Sequence, residues 1–284
     1  MKIMILGGSG MAGSMIYNYL TKYTSHSIVA TYREAGKGIQ LDVMNSHHVH
    51  HLISFINVYK PDIIINCIGV LIKESNDNPE LASRINWAFP HVMASACDAV
   101  HARLIHISTD CIFDGKEGPY NEDSEYTETN TYGTTKALGE VKRSPHLTLR
   151  TSIIGPDSDI NGTGLMNWVL KQKGVINGYA SVMWNGITTL ELAKQIERII
   201  ARLDRLSGLY HLTTDTPISK YELLNLFQYH YDLPIIVNPT NDVIQNKCLN
   251  NNRKAEYDPH IPPLSEQIKE LSKFNVYPDA SHKL

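Results

Sequence analysis

The sequence predicts an α/β protein with a doubly wound parallel sheet, and three observations support this fold class. Five short, β-branched apolar runs occur in the first 150 residues, and amphipathic helical patterns lie between them. Near-continuous apolar strands of this kind are typical of parallel sheets that helices cover on both faces. A glycine-rich turn also joins the first predicted strand to the first predicted helix.

The elements alternate regularly in the first half of the chain. The predicted strands span 2–6, 27–32, 62–69, 103–108 and 147–150. The predicted helices span 11–22, 45–58, 79–99 and 133–143. Asn45 suits a helix N-cap, and Pro79 suits the first turn of a helix, where its missing N–H carries no penalty.

Composition and charge exclude several classes of function. The 284 residues carry a net charge of −3, which is too mild for a nucleic-acid or anionic membrane surface. No stretch approaches the ~20 apolar residues of a membrane span. The four cysteines form no CxxC pair. We therefore expect a cytoplasmic protein with reduced thiols and with neither a nucleic-acid nor a membrane partner.

The glycine-rich turn indicates dinucleotide binding. "ILGGSGMAGSMIYNYL" (5–20) spaces Gly7, Gly10 and Gly13 as GxxGxxG, and Met11 opens the helix that follows. Glycines here let the chain turn tightly, let the backbone approach a pyrophosphate and let the helix pack on the strand. The helix N-terminus then favours the anion. The sheet is therefore predicted to be of the Rossmann type.

The end of the second strand favours NADPH over NADH. NAD-binding sheets usually carry an acidic residue there, whereas "ATYREAG" places Arg33 in that neighbourhood, and a guanidinium suits a 2′-phosphate. Glu34 follows directly, so NADH stays possible. Asp42 in "LDV" is expected either to accept a hydrogen bond from the adenine amino group or to cap a helix, and Val43 and Met11 are further candidates for contact with the cofactor.

A tyrosine and a lysine stand four residues apart in "TNTYGTTK" (129–136). Tyr132 and Lys136 at this spacing share a helix face, although a plain surface pair fits the spacing equally well. A phenol ionises near pH 10, so a neighbouring cation that stabilises its anion makes it a better acid–base group. Gly133 is expected to permit close approach of a flat ring.

Strand hydroxyls strengthen the catalytic interpretation. The fourth strand ends in "HISTDCIFDG" (106–115), which places Ser108 and Thr109 at the carboxyl edge where such sheets bind ligands. A glycine loop, a strand-end hydroxyl and a tyrosine–lysine pair together fit hydride transfer to a carbonyl.

These motifs resemble the extended short-chain dehydrogenase/reductases. More closely, "STDCIFDGKEGPYNEDSEYTETNTYGTTKALGE" (108–140) is similar to the dTDP-4-dehydrorhamnose reductases, and "LRTSIIGP" (149–156) matches them too. The resemblance implies that Tyr132 is the general acid, that Lys136 lowers its pKa and holds the nicotinamide ribose, and that Thr109 binds the substrate carbonyl, with Ser108 as the weaker candidate. It also implies cofactor contacts for Cys67, Ile68, Gly69 and Asn86.

The match to these reductases is loose in the second half. Helices are predicted near 164–173, 189–206, 219–230 and 264–273, with one strand at 209–212. We expect a dinucleotide-binding domain over 1–155 and a smaller C-terminal, mainly substrate-binding region over 156–284, with 187–215 returning to the first domain. The candidate substrate-side residues in this half are Asn161, Trp184 and Asn185.

The resemblance implies NADPH-dependent reduction of the 4-keto group of a nucleotide-linked 6-deoxy-sugar, supplying a surface polysaccharide. Related dehydratases carry Thr-Asp-Glu where this chain has Thr109-Asp110-Cys111, which disfavours dehydration. Two alternatives stay open. One is a reductase for a UDP-linked 2-acetamido-6-deoxy-4-keto-hexose, and the other is a non-catalytic regulatory subunit similar to the β subunit of methionine adenosyltransferase. A homodimer is also open.

No metal site is predicted. His47 and His51 lie one helical turn apart in "NSHHVHH", but the surrounding sequence offers no third ligand for zinc.

Overall fold

The computed structural model describes residues 1–157, 162, 164–257 and 260–274. In chain order, the strands of these residues are β1 (Lys2–Leu6), β2 (Ser27–Tyr32), β3 (Ile39–Gln40), β4 (Ile63–Asn66), β5 (Arg103–Thr109), β6 (Leu147–Thr151), β7 (Ile153–Ile154), β8 (Gly174–Tyr179), β9 (Val182–Trp184), β10 (Ile187–Thr188), β11 (Gly208–His211), β12 (Ile218–Ser219), β13 (Ile235–Thr240) and β14 (Gln245–Asn246). Strand β3 and the strands β7 to β10 and β12 to β14 have no counterpart among the predicted elements.

Helices alternate with these strands. In the described ranges they are α1 (Met11–Tyr23), α2 (Ser46–Tyr59), α3 (Ile72–Asp77), α4 (Pro79–Ala82), α5 (Phe89–Ala99), α6 (Thr131–Leu138), α7 (Leu165–Leu170), α8 (Thr189–Ile200), α9 (Lys220–His230) and α10 (Leu264–Lys273). A π-helical turn, Ser83–Ala88, joins α4 to α5, so the helical run predicted over 79–99 is continuous. Within the described part of the chain, no helix is long and apolar enough to cross a membrane.

Three predicted helices are shorter in the structure, and the one predicted near 164–173 spans only Leu165–Leu170. Helix α6 ends at Leu138, and Gly139 follows at a point where a Cβ atom would lie 1.9 Å from the Asn86 carbonyl oxygen. The chain passes close to the π-helical turn there, so residue 139 cannot carry a side chain, and the helix does not reach the predicted residue 143. Helix α8 ends at Ile200, because residues 203–205 form a separate 3₁₀ turn.

The described strands of the large sheet are seven and parallel, in the order β11-β6-β5-β4-β1-β2-β3. Ile5 pairs with Ile65, and Ile65 pairs with Ile105, which aligns the carboxyl ends of the three central strands. The strand order reverses between β1 and β4, and such a reversal opens a crevice for ligands. The predicted fold class, a Rossmann-type doubly wound sheet, is confirmed.

Apolar helix faces cover both sides of this sheet. On one side, α1 packs against α8 through residues such as Ile16, Leu20 and Ile196. On the other side, α2 and α5 bury residues such as Leu52 and Met93. Each side chain of this size contributes roughly 1.5–3 kcal/mol by leaving water, so the two layers fix the sheet and its carboxyl edge.

The later part of the chain divides its elements between the large sheet and small sheets of its own. Strand β11 forms the edge of the large sheet beside β6, and α8 packs on α1, so both lie in the layers of the first half. Strands β8 and β13 pair in parallel, and β9 lies between β12 and β14. Helix α9 packs against β8 and β13 and places its first residue toward the crevice.

Candidate active site

The glycine loop joins β1 to α1 in a conformation that depends on missing side chains. Gly7 adopts φ +87°, a value that favours glycine. A Cβ atom on Gly13 would lie 2.1 Å from the Gly7 carbonyl oxygen, so this glycine allows α1 to pack closely on the loop. Gly10 is the N-cap of α1 and supplies no side-chain cap, which leaves the first amide groups of the helix open to an anion.

A small cleft of about 150 Å³ opens beside this loop at the end of β2. Thr31 accepts a hydrogen bond from the Gly7 amide at 3.1 Å, which fixes the loop against the strand. Asp42 lines the cleft and also accepts from the Met44 amide at 2.9 Å, so it caps a turn beside the cleft. The residues predicted to bind the cofactor that line this cleft are Gly7, Gly10, Arg33, Asp42, Val43, Cys67, Ile68 and Gly69.

A larger cleft of about 610 Å³ adjoins the first and shares Gly10, Cys67, Ile68 and Gly69 with it. It extends from the glycine loop across the ends of β4, β5 and β6 to the beginnings of α7 and α9. The other predicted site residues that line it are Met11, Ser108, Thr109, Tyr132, Lys136 and Trp184. The structure therefore brings the predicted acid, its lysine and the strand-end hydroxyls into one cavity.

Tyr132 and Lys136 lie on the buried face of α6. The Asn130 side chain caps this helix by accepting from the Gly133 amide at 2.8 Å. Lys136 is 5 % exposed, and its ammonium donates to the Ile107 carbonyl oxygen at 2.9 Å. Thr109 accepts from the Cys111 amide at 3.1 Å. These contacts hold both side chains of α6 and the strand-end hydroxyl at the floor of the larger cleft.

Burial has the largest effect on the pKa values of Tyr132 and Lys136. It raises the pKa of Tyr132 above its ordinary value; Cys111 and Asp110 add to the increase, and the Thr109 hydroxyl opposes it. Burial also lowers the pKa of Lys136 to about 8, although Glu140 and Cys67 act in the other direction. The phenol therefore keeps its proton at neutral pH, as a group that donates a proton must.

Gly133 has a different role from the one expected from the sequence. A Cβ atom there would lie 2.7 Å from the Cys111 carbonyl oxygen and 2.4 Å from Cγ of Glu128. The glycine thus lets α6 approach the chain that follows β5, and the close neighbour is the protein itself. This approach sets the position of Tyr132 relative to Thr109.

A buried ion pair supports the floor of the larger cleft. Arg150 donates from Nε and Nη2 to the two carboxylate oxygens of Glu140, at 2.9 Å and 2.8 Å. Its Nη1 donates to Nε2 of His211 at 2.7 Å. Ser108 donates to Glu140 Oε1 at 2.8 Å, so this hydroxyl is engaged by the ion pair while Thr109 adjoins Tyr132.

Asn86 and Gly13 line neither of these two clefts. Asn86 is fully buried in the π-helical turn, where its side chain accepts from the Val70 amide at 3.0 Å and donates to the Val70 carbonyl at 3.1 Å. It therefore holds the segment after β4 that carries Gly69. Gly13 acts through packing beneath the loop.

The predicted substrate-side residues divide into three cases. Trp184 lines the larger cleft and donates from Nε1 to the Ser152 hydroxyl at 2.7 Å. Asn185 points away from it, with Nδ2 donating to the Leu249 carbonyl at 2.8 Å and Oδ1 accepting from the Leu249 amide at 3.0 Å. Asn161 lies outside the described residues.

Five polar residues of the larger cleft were not among the predicted ones: Asp110, Thr151, Ser152, Asp157 and Lys220. Asp110 directly follows Thr109, and Ser152 lies within "LRTSIIGP". Their positions next to strand ends could therefore have indicated that they line the site. Lys220 opens α9 directly after the N-cap Ser219. Its place in the cleft depends on how α9 packs, which no local pattern indicates.

Fold and cavity together define the class of this protein: a Rossmann-type protein with a glycine-loop nucleotide site and an adjoining cleft that contains a tyrosine, a lysine and a threonine. Residues 1–240 match the family model described as the RmlD substrate binding domain. The chain belongs to this family.

Its relatives include both reductases and a subunit of another enzyme. The chain is 31 % identical over 141 residues to the methionine adenosyltransferase 2 subunit beta of Rattus norvegicus, covering 49 % of this chain and 41 % of that protein. It is 32 % identical over 142 residues to the dTDP-4-dehydrorhamnose reductase of Mycolicibacterium smegmatis, covering 49 % and 40 %. The matched part is thus less than half the length of either relative.

A solved structure extends the similarity of fold to nearly the whole chain. The dTDP-4-dehydrorhamnose reductase of Bacillus anthracis in complex with NADP superimposes with a TM-score of 0.79. The superposition covers 95 % of this chain and 98 % of that one at 20 % sequence identity. At this identity the match supports the fold and its element order.

Proposed function

We propose that this protein is an NADPH-dependent reductase of the 4-keto group of a nucleotide-linked 6-deoxy-sugar. The observation that carries the proposal is the single cavity in which Thr109, Tyr132 and Lys136 adjoin the glycine loop. The proposal keeps residues 1–155 as the dinucleotide-binding part and 156–284 as the mainly substrate-binding part. The product would supply a deoxysugar for a surface polysaccharide.

The residues of both clefts fit a phosphorylated dinucleotide. The first turn of α1 suits the pyrophosphate, and Arg33 at the far end of the small cleft suits the 2′-phosphate of the adenosine ribose. Lys136 would hold the nicotinamide ribose with the donors that its bond to the Ile107 carbonyl leaves available. The bound cofactor, when reduced, supplies a hydride to the carbonyl carbon. NADH fits the same loop but leaves Arg33 without the 2′-phosphate.

The side chains of this chain supply the proton and the orientation. On substrate binding, the Thr109 hydroxyl turns from Asp110 Oδ1 to the carbonyl oxygen, donates a hydrogen bond to it and holds it beside Tyr132. The Tyr132 phenol transfers its proton to that oxygen as the hydride reaches the carbon, so the ketone becomes an alcohol. Because burial disfavours the phenolate, a positive Lys136 stabilises the anion that remains. The phenolate then regains its proton from solvent.

The second candidate function is that of a non-catalytic subunit, and the similarity to the methionine adenosyltransferase β subunit favours it. Subunit function does not require the trio of Thr109, Tyr132 and Lys136 in an open cavity beside the glycine loop. The trio therefore favours the reductase.

Reduced thiols support the expected cytoplasmic location, since all four cysteines are free.

The test follows NADPH absorbance with a dTDP-linked 4-keto-6-deoxy-hexose and with its UDP-linked 2-acetamido counterpart. Turnover of either substrate should fall by about 10²- to 10⁴-fold in Tyr132→Phe, because that variant lacks the proton donor. Tyr229→Phe is the matched control, since Tyr229 is 80 % exposed. The reductase function would be refuted in favour of the subunit function if the wild type bound NADPH tightly, reduced neither substrate and co-purified with a second enzyme.

A further inference from the structure

One polar corner of the larger cleft has no role in the steps above. It consists of Asp110, Ser152, Trp184 and Lys220, which all line the cleft, and we call it the Lys220 corner. Asp110 directly follows Thr109, so the corner lies beside the position proposed for the reacting carbonyl. The corner therefore faces the part of the substrate next to that carbonyl.

The ammonium of Lys220 lies over an aromatic face and lacks polar partners. Its Nζ is 4.4 Å from the centroid of the Trp184 ring. It makes no hydrogen bond and no ion pair with any residue that the structure describes. Burial lowers the pKa of Lys220, and Asp110 acts to raise it. Lys220 is partly buried, so its unused donors are partly withdrawn from water and gain from a ligand that supplies an acceptor.

Asp110 provides the opposite half of the corner. Its Oδ1 accepts from the Thr109 hydroxyl at 3.3 Å and from the Cys111 thiol at 3.5 Å. Burial raises the pKa of Asp110, and both the Lys220 ammonium and the Ser152 hydroxyl act to lower it. The carboxyl group and the ammonium thus face each other electrostatically without a direct ion pair.

The chemistry of the two groups selects the ligand. A carboxylate only accepts hydrogen bonds and an ammonium only donates them, whereas a hydroxyl does both. A hydroxyl placed between them therefore satisfies both groups at once. A phosphate oxygen would satisfy Lys220 but would be repelled by Asp110, and a carbonyl oxygen would offer Asp110 no hydrogen to accept.

We propose that Asp110 and Lys220 together bind the substrate hydroxyl on the carbon next to the reacting carbonyl, which makes the enzyme selective for α-hydroxy ketones. This inference rests on the proposed function. Thr109 Oγ1 and Asp110 Oδ1 lie 3.3 Å apart, close enough for the two residues to bind oxygens on neighbouring carbons. In a 4-keto-6-deoxy-hexose, the neighbouring hydroxyl is the one on C3, because C5 carries the methyl group.

The experiment compares kcat/KM for the 4-keto-6-deoxy substrate with that for its 3-deoxy analogue. The wild type should prefer the 3-hydroxyl substrate by at least about 100-fold, because the analogue offers no acceptor to the Lys220 ammonium and no donor to Asp110. Lys220→Met and Asp110→Asn should each reduce this preference to less than about tenfold, mainly through slower turnover of the 3-hydroxyl substrate. Lys220→Gln, which keeps a neutral donor, should give an intermediate preference.

Lys247→Met is the matched control. The Lys247 ammonium also acts to lower the pKa of Asp110, but it pairs with Glu128 at 3.4 Å and does not line the cleft. This variant should keep the wild-type preference. A wild-type preference near one, or an unchanged preference in a folded Lys220→Met, overturns the inference, since a purely structural lysine would not alter the ratio.

Failure of this inference can be distinguished from failure of the proposed function. If the wild type reduced neither ketone, the reductase would fall, and calorimetric binding with NADP⁺ would test the Lys220 corner by itself. The ligands are the two reduced nucleotide sugars, with and without the 3-hydroxyl. Weaker binding of the deoxy sugar to wild type, and equal binding to Lys220→Met, supports the inference; equal binding to wild type overturns it.

Discussion

Removing Arg150 should destabilise the protein by about 3–5 kcal/mol. Arg150 is fully buried, and Glu140, 6 % exposed, receives two of its hydrogen bonds. Replacement by methionine keeps most of the volume but leaves the carboxylate with only the hydroxyls of Ser108 and Tyr126 and the distant Lys142. Breaking a buried pair by removing one partner typically has this cost, because the other charge stays buried and unpaired.

The assay is urea-induced unfolding of the wild type, Arg150→Met, Glu140→Gln and the double variant. The double variant should regain at least about 2 kcal/mol relative to Arg150→Met, because it contains no unpaired charge. The pKa of His211, which burial and then Arg150 lower to about 3, should rise in Arg150→Met. A cost below about 1 kcal/mol for Arg150→Met, or a double variant no more stable than it, would refute the reasoning.

Three further predictions concern the cofactor. Gly13→Ala should weaken NADPH binding at least about tenfold in a fluorescence titration, because its Cβ meets the Gly7 carbonyl; unchanged affinity would contradict the packing role. Arg33→Ala should weaken NADPH binding about 10- to 100-fold and leave NADH binding unchanged, while Lys37→Ala, whose lysine pairs with Glu34 at 2.7 Å, serves as the control. Burial lowers the pKa of Lys136 to about 8. As the pH rises, the folded protein therefore loses this proton before the unfolded chain does, and this group makes the free energy of unfolding rise between about pH 8 and pH 10.5. NADPH binding near pH 8 should therefore take up as much as about half a proton, measured by calorimetry in buffers of different ionisation enthalpy; uptake that persists in Lys136→Met would exclude this lysine as its source.

Short-range patterns predicted the parts of the site that local chain geometry determines. The glycine spacing follows from how β1 meets α1, and the spacing of Tyr132 and Lys136 follows from one turn of α6. The strand-end hydroxyl Thr109 could be placed because parallel strands end at a common edge. Each of these features needs only one or two neighbouring elements to form.

The rest depends on packing between distant elements. Lys220 enters the larger cleft only because α9 packs on β8 and β13, and the sequence near it contains an ordinary helix start. Gly133 was expected to admit a flat ring. The sequence near it does not show that the Cys111 carbonyl approaches it, because Cys111 lies on another segment. Asn185 resembles a binding residue in sequence, but its amide is used by the Leu249 backbone.

The return of the chain to the large sheet has a consequence for building hybrids with related proteins. A junction after residue 155 transfers Gly208–His211 together with the second half, so the edge strand beside β6 would come from a foreign sequence. Helix α8, which packs on α1, would be exchanged as well. On the proposed division of the chain, substrate preference should be transferred as two separate inserts, 156–186 and 212–274, which leave every strand of the large sheet with its own neighbours.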